Sequence, residues 1–362
     1  MFLISEPSAR KGNVGDSALI KSIELHLSEQ NISYEFLDGM DKNIIFRISK
    51  FRGLIYFGND TIAYYSINKK LINKFIKLNK PVFIINLSFG ENIENEYLLK
   101  ISNYQNLFLW ARDIYSYNLI KNFANFKNEI RLTSDIAYNL PAYIKKINNW
   151  IKKRTKKIIA INIHQDFNEF NEELYYSFLN FLNKNKENYD YIFIPHDSRK
   201  KTELNANKRL FDNFKKNSLL LNCIEPSHEV AILHNVFAVL TCRMHLGILS
   251  IGYGKPAIII EYNGVKAKGQ LEHWGLEEDL LLFPETINTL SEKFDNLVSN
   301  YKEIVNKISN KKQNILDMST KSFQEIATMY PEISQTKNQR EFAFSSESLK
   351  NFIRFIFNKF FK

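Results

Sequence analysis

At 362 residues the chain is longer than one hydrophobic core usually supports, so two domains with a terminal appendage are expected; 44% of it is apolar, with 29 Phe and 18 Tyr to bring large buried areas. Lys and Arg outnumber Asp and Glu by 49 to 39, a formal charge of +10, which favours acidic partners such as phosphorylated metabolites, nucleotides, anionic lipids or nucleic acid. Many of the lysines stand beside Asn and Ile, as in 148–157, and such a composition also makes a solvated surface basic without any partner.

The two cysteines, Cys223 and Cys242, lie in or at the end of apolar runs, which excludes a disulfide framework and reads as packing. The opening residues Met1 to Pro7 lack a basic leader and apolar stretch, and no apolar run approaches the ~20 residues that span a bilayer, so a cytoplasmic location is expected.

Short β-branched and aromatic runs recur at Phe2–Ile4, Tyr34–Leu37, Gly53–Phe57, Pro81–Leu87, Leu107–Trp110 and Arg131–Ile136. Between them lie segments of helical spacing, such as Ala18, Leu19, Ile23 and Leu27, then Leu71, Ile72, Phe75 and Ile76. Strands alternating with helices imply a mainly parallel sheet covered on both faces. The polar, basic stretch Lys145 to Lys157 reads as a linker, after which the pattern restarts with strands at Ile158–Ile163, Tyr191–Ile194, Leu219–Cys223, Ala238–Thr241, Ala257–Glu261 and Leu280–Phe283. The expected division is 1–145, 155–300 and a C-terminal helical part, 301–362. In that last part, 330–344 is a polar connector, and Leu349, Phe352, Ile353, Ile356 and Phe360 form an amphipathic helix. Such a helix either lies on an anionic membrane surface or packs back on the body.

In open α/β sheets ligands bind outside the carboxyl ends of strands. The loop after the first strand, Lys11-Gly12-Asn13-Val14-Gly15-Asp16-Ser17, runs into a helix and is either a binding loop or a simple strand-to-helix turn, since it lacks the spacing of a dinucleotide fingerprint or P-loop. Gly58-Asn59-Asp60 offers turn chemistry, and the neighbours Arg112 and Asp113 resemble a surface ion pair. Thr133-Ser134-Asp135 places an acid beside an apolar strand. The most informative run is Cys242-Arg243-Met244-His245-Leu246-Gly247, where Arg243 emerges at a strand's carboxyl edge and His245 in the first helical turn, surroundings that suit a phosphate or carboxylate; a buried structural histidine is the bland alternative. Lys266 follows the next strand near the same edge.

This combination resembles the polysaccharide pyruvyl transferase family. The Gly-Asn-x-Gly-Asp-x-Ala opening stands at Gly12 to Ile20, Arg-Asp-x-x-Ser at Arg112 to Ser116 and Ser-Asp-x-Ala at Ser134 to Ala137. Arg-Met-His at Arg243 to His245, Gly-x-Pro at Gly254 to Pro256 and Tyr-x-x-x-Lys at Tyr262 to Lys266 follow in order. The resemblance runs from about Gly12 to Leu276, with departures at Gly58-Asn59-Asp60 and Ser88-Phe89-Gly90-Glu91.

The resemblance implies two Rossmann-like domains facing across a cleft, as in GT-B glycosyltransferases, the first on the acceptor side and the second on the donor side. The activity it implies moves the carboxyvinyl group of phosphoenolpyruvate onto two hydroxyls of a sugar that is nucleotide-, lipid- or polymer-linked. It assigns Arg243 to phosphoenolpyruvate binding, His245 to general acid/base work or phosphate stabilisation and Lys266 to charge, with Asp16 as candidate base or acceptor-hydroxyl ligand, Asn13 and Gly15 beside it, and Arg112 and Asp135 as further cleft members. By position, His164 and His196 with Asp197 follow the first two strands of the second domain and are expected to line the site as well. No metal or cofactor is implied. The alternatives are a glycosyltransferase of the same architecture using a nucleotide-sugar donor, and a noncatalytic module holding nucleic acid or an anionic glycan. Against the last, the aromatics are spread through apolar strands rather than interleaved with a basic patch, so nucleic acid is not expected as a partner.

Overall fold

A computed structural model describes residues 1–5, 13–37, 44–57, 66–89, 95–123, 126–142, 149–164, 172–197, 201–221, 225–262 and 264–331. The loops at 58–60 and 90–91, Lys11 and Gly12, Cys223, Asn263, the linker residues 145–148 and the expected tail with its connector beyond 331 lie outside the described residues.

The apolar runs become two six-stranded parallel sheets. In the first, β1 (Phe2–Ser5), β2 (Tyr34–Phe36), β3 (Leu54–Phe57), β4 (Val82–Leu87), β5 (Leu107–Ala111) and β6 (Ile130–Leu132) take the order 2-1-3-4-5-6. In the second, β7 (Lys157–Asn162), β8 (Tyr189–Phe193), β9 (Ser218–Leu220), β10 (Ala238–Thr241), β11 (Ala257–Ile260) and β12 (Leu281–Leu282) take the order 12-11-10-7-8-9. A parallel sheet covered by helices on both faces needs continuous rather than alternating apolar strands. Accordingly β3, β4, β8, β10 and β11 are buried at every residue.

Each order places a switch point where the chain leaves one side of a central strand and resumes on the other. In the first sheet it lies between β1 and β3, in register Leu3 to Leu54; in the second between β7 and β10, in register Thr241 to Asn162. At these switch points α1 (Val14–Glu29) follows β1 and the helix Met244–Gly252 follows β10.

The strand expected over Arg131–Ile136 stops at Leu132. Asp135 takes the Ala137 N–H on Oδ1 at 2.9 Å and starts a 3-10 turn over Ile136–Asn139, a local bond that competes with the sheet ladder.

The described chain ends in one long helix, Tyr301–Met329, which begins against the second sheet and finishes on the first. At its start Tyr301 stacks on Phe237 with ring centroids 4.2 Å apart and donates its hydroxyl to the Phe237 carbonyl at 2.9 Å. Midway the Ile315 carbonyl accepts the Ser134 hydroxyl at 2.6 Å, and near the end Glu325 accepts the Trp110 indole N–H at 2.8 Å. Tyr330 then meets Phe2 and Phe83 edge-on. No described helix is long and apolar enough to cross a membrane.

Phe323 of this helix is fully buried beside the ring of His26 from α1. Phe323→Ala is expected to cost about 3–5 kcal/mol, read as a lowered urea midpoint with unchanged secondary structure by circular dichroism.

Candidate active site

The site is built where the carboxyl-end loops of the two sheets meet. Asn13 caps α1, its side-chain oxygen accepting the Asp16 N–H at 3.2 Å, and it forms an antiparallel bridge with Asp197 from the loop after β8. The neighbouring Val14 N–H donates to the His196 carbonyl at 2.9 Å. The first loop of one sheet is thereby stitched to the second loop of the other. Gly15 follows, and a Cβ there would lie 2.5 Å from Nδ1 of His245 and 2.8 Å from its Cβ. Closeness between the halves, not a turn, is what requires glycine at this position.

His245 stands in the first turn of the helix Met244–Gly252, which Arg243 precedes as N-cap. Its Nε2 lies 3.8 Å from Oδ2 of Asp135, beyond hydrogen-bond reach, and has no hydrogen-bond partner among the described residues. Burial drives the ring's pKa down to about 3; Asp135 opposes this, while Arg112, His196 and Lys266 add to it. His245 is therefore an uncharged imidazole at neutral pH. Asp135 is held by Arg112, whose Nη1 donates to its Oδ2 at 2.9 Å with both side chains buried. The neighbour Asp113, expected to pair with Arg112 at the surface, is buried and caps the helix Ile114–Lys121 by accepting the Ser116 N–H at 2.7 Å. The exposed pair is thus replaced by an internal one, because the two side chains leave the strand end toward different elements.

The carbonyl of Arg112 is fixed from the helix Lys266–Trp274, accepting Gln270 Nε2 at 2.9 Å and His273 Nε2 at 3.1 Å. Burial pushes His273 down to about 4, so it is neutral and must donate from Nε2, its bond here being to a carbonyl. Lys266 opens this helix, and Glu261 at the end of β11 accepts the Ala267 N–H.

Arg243 is more firmly bound than its position suggested. Its Nε donates to Oε2 of Glu203 at 2.9 Å, Nη2 donates to the same oxygen, and Nη2 lies 3.5 Å from Asp197. Glu203 is 1% exposed. Its Oε1 also accepts Asn162 Nδ2 at 2.8 Å and the His196 N–H at 2.6 Å, while His164 Nδ1 lies 3.4 Å from Oε2. Burial alone would raise this carboxyl, but the bonds from His164, Arg243 and Asn162 outweigh it and hold the pKa at about 2. His196, 1% exposed, places Nδ1 3.1 Å from Glu229, which lies in the helix Pro226–Leu233.

Asn13, Gly15, Arg112, Asp135 and His245 thus form one chain of contacts, and Arg243, His164 and His196 gather around Glu203. Asp16 stands half-buried on the first turn of α1. Sequence reasoning missed Glu203, Glu229 and Asn86. Glu203 had a signal: it shares a helix face with the buried Ala206, Asn207 and Leu210 at i+3, i+4 and i+7. Glu229 sits directly before Val230-Ala231-Ile232-Leu233. Asn86, at φ 56° where β4 slips register against β5, accepts the Ile136 N–H at 3.2 Å and supports the Asp135 turn.

Two outcomes follow from this packing. Gly15→Ala must displace the His245 ring or part the seam, costing about 1–3 kcal/mol and moving the His245 ring-proton resonance. Because folding holds His245 at about 3 against 6.5, the unfolded chain takes up a proton that the folded one refuses, and stability falls as pH drops below 6.5. Urea denaturation should show wild type losing up to about 1.4 kcal/mol per pH unit relative to His245→Gln over that range.

No curated protein sequence matches the chain significantly. Among solved structures it is similar to the UDP-GlcNAc 2-epimerase of Neisseria meningitidis bound to UDP-GlcNAc, at 13% identity and TM-score 0.60 over 91% of this chain and 100% of that one. It is similar to a putative UDP-N-acetylglucosamine 2-epimerase of Listeria monocytogenes, at 10% identity and TM-score 0.62 over 91% and 97%. A glycosyltransferase of Rickettsia africae shares 13% identity at TM-score 0.59 over 93% and 99%. At such identities the likeness is one of fold, the GT-B arrangement of two Rossmann-like halves. The family model of polysaccharide pyruvyl transferases, in contrast, matches residues 13–264, from the Asn13 cap through the Arg243 and His245 turn to the loop after β11: the chain belongs to the polysaccharide pyruvyl transferase family and is a transferase.

Proposed function

We propose that the protein transfers the carboxyvinyl part of phosphoenolpyruvate onto two hydroxyls of one sugar, giving a cyclic pyruvate ketal and free phosphate, in the synthesis of a capsule, exopolysaccharide or other cell-surface glycan. The observation that carries this reading is the family match over 13–264, a span that takes in both Gly15 and His245, which meet across the two halves.

The chemistry needs cations for a carboxylate and a phosphate, a proton for the methylene carbon and an acceptor for the hydroxyl protons. Glu203 fixes Nε and Nη2 of Arg243 and leaves Nη1 without a hydrogen bond to any described residue. An anionic oxygen on Nη1 would gain a charge-assisted bond to a guanidinium that cannot swing away. Lys266 adds positive charge at the same edge, and its field reaches His245. His245, uncharged and without a hydrogen-bond partner on Nε2 among the described residues, suits the role of hydroxyl-proton acceptor. Asp16 and Asn13 are our candidates for holding the acceptor sugar, with Arg112 and Asp135 setting the His245 side of the cleft and His164 and His196 the other.

Phosphoenolpyruvate is a substrate here, and the scheme uses neither metal nor cofactor. We place the enzyme in the cytoplasm, where segment 345–362 would touch the membrane face if the sugar is lipid-linked. The competing reading, glycosyl transfer from a nucleotide sugar, rests on likeness of fold, which many chemistries share.

Calorimetric titration separates the two. Wild type is expected to bind phosphoenolpyruvate saturably and Arg243→Ala about 10-fold or more weaker, the loss of a charged hydrogen bond being about 1.5–3 kcal/mol. Binding of uridine or cytidine nucleotides with no response to phosphoenolpyruvate would overturn pyruvyl transfer.

A further inference from the structure

Glu229 is a carboxylate at 0% exposure, followed in its helix by the apolar run Val230-Ala231-Ile232-Leu233. Burying such a group costs several kcal/mol unless a partner compensates it, and its partner is the His196 ring, whose Nδ1 lies 3.1 Å from each carboxylate oxygen. His196 is held on three sides: Glu229 takes the ring, Glu203 accepts its N–H, and its carbonyl accepts the Val14 N–H from the other half of the molecule. Its Nε2 is buried with no hydrogen-bond partner among the described residues.

A carboxylate on one imidazole nitrogen orients the ring, supports its charged form and leaves the other nitrogen to exchange a proton. Packing alone requires none of this, since an apolar side chain would fill the same space without stranding a nitrogen. Nε2 of His245 is likewise buried without a hydrogen-bond partner among the described residues. The two rings are close enough to feel each other's charge. They differ in support: His196 has a carboxylate at 3.1 Å, whereas the carboxylate nearest His245 stands at 3.8 Å and is already taken by Arg112. Ionisable groups set apart by their surroundings within one site mark the acid and the base.

We propose that His196, oriented by Glu229, is the proton donor of the site, paired with His245 as proton acceptor. This rests on the pyruvyl transfer reading. In the first addition the His196 Nε2 proton goes to the methylene carbon of phosphoenolpyruvate, whose double-bond pair forms the new C–H bond. A sugar hydroxyl oxygen bonds the adjacent carbon, and its proton passes to His245 Nε2. In the second step the carbon–oxygen bond to phosphate breaks with its electron pair, and the departing phosphate takes the proton from His245. The second hydroxyl oxygen then bonds the same carbon and returns its proton to His196. Both rings finish as they began, and the two hydroxyl protons end on the methyl carbon and the phosphate.

Among the described residues the charged and titratable groups around His196 include Glu229, Glu203, Asp197, Arg243 and His245, so the test must read His196 itself. The protein has 7 histidines, and ¹⁵N-histidine labelling, with His196→Asn to assign the signal, reports the protons on each ring nitrogen. From the geometry, the Nδ1 signal of His196 is expected to move in Glu229→Gln, which removes the carboxylate that holds it, while His245 keeps a single ring proton at pH 7 in both proteins. A His196 signal indifferent to Glu229→Gln in folded protein overturns the proposal with or without ligand. If Glu229→Gln does not fold, the turnover of His196→Asn decides. Phosphate release from phosphoenolpyruvate, over a panel of sugar acceptors, should fall about 10²–10⁴-fold in His196→Asn, with phosphoenolpyruvate affinity within about threefold of wild type. Unchanged turnover in that variant overturns the proton-donor role. Failure of wild type to bind phosphoenolpyruvate at all would instead remove the pyruvyl transfer reading, while the His196 spectra would still report on the pair.

Discussion

The carboxylate of Glu203 is the interaction on which the second half of the site depends. Taken into the interior without partners, it would cost more than the fold has to spare. It is instead met by Arg243 from the end of β10, Asn162 from the end of β7 and the peptide N–H of His196 beyond β8, with His164 close by. One side chain therefore sets the relative positions of three loops that share no sequence neighbourhood. It also explains why Arg243, a cation at a strand edge, does not wander: a guanidinium held through Nε and Nη2 presents its remaining face in one orientation. The arrangement turns a flexible arginine into a fixed one before any ligand arrives, and such preorganisation is what an anion site needs.

The two halves are joined by close contact at a few points. The bridge from Asn13 to Asp197, the bond from Val14 to His196, and Gly15 against the ring of His245 all fall within three consecutive residues at the cap and start of α1. These residues sit at a switch point because the strand order of the first sheet opens there, and the second sheet brings its own switch point to meet them. The helix Tyr301–Met329 spans both sheets and fixes their separation through Tyr301 at one end and Trp110 and Tyr330 at the other. The charge balance of the seam follows from the same geometry. Arg112 is matched by Asp135 and Arg243 by Glu203, so the overall excess of basic residues is not concentrated at the described site.

Much of this organisation was legible in the chain itself. The alternation of apolar β-branched runs with segments of helical spacing determined two parallel α/β sheets, because a strand buried on both faces must be apolar throughout and a covering helix need only be apolar on one side. Arg243, His245, Gly15 and Asp135 were visible as residues at strand ends, where local geometry alone decides that a side chain emerges at the sheet's edge. Tertiary structure alone decided who meets whom. That Gly15 serves His245, that Arg112 chooses Asp135 over its neighbour Asp113, and that Glu203 and Glu229 are buried all depend on contacts between residues 7 to 230 positions apart. A buried carboxylate in particular reads as an ordinary surface residue until its partners are known, since its charge becomes tolerable only through donors that other strands bring to it.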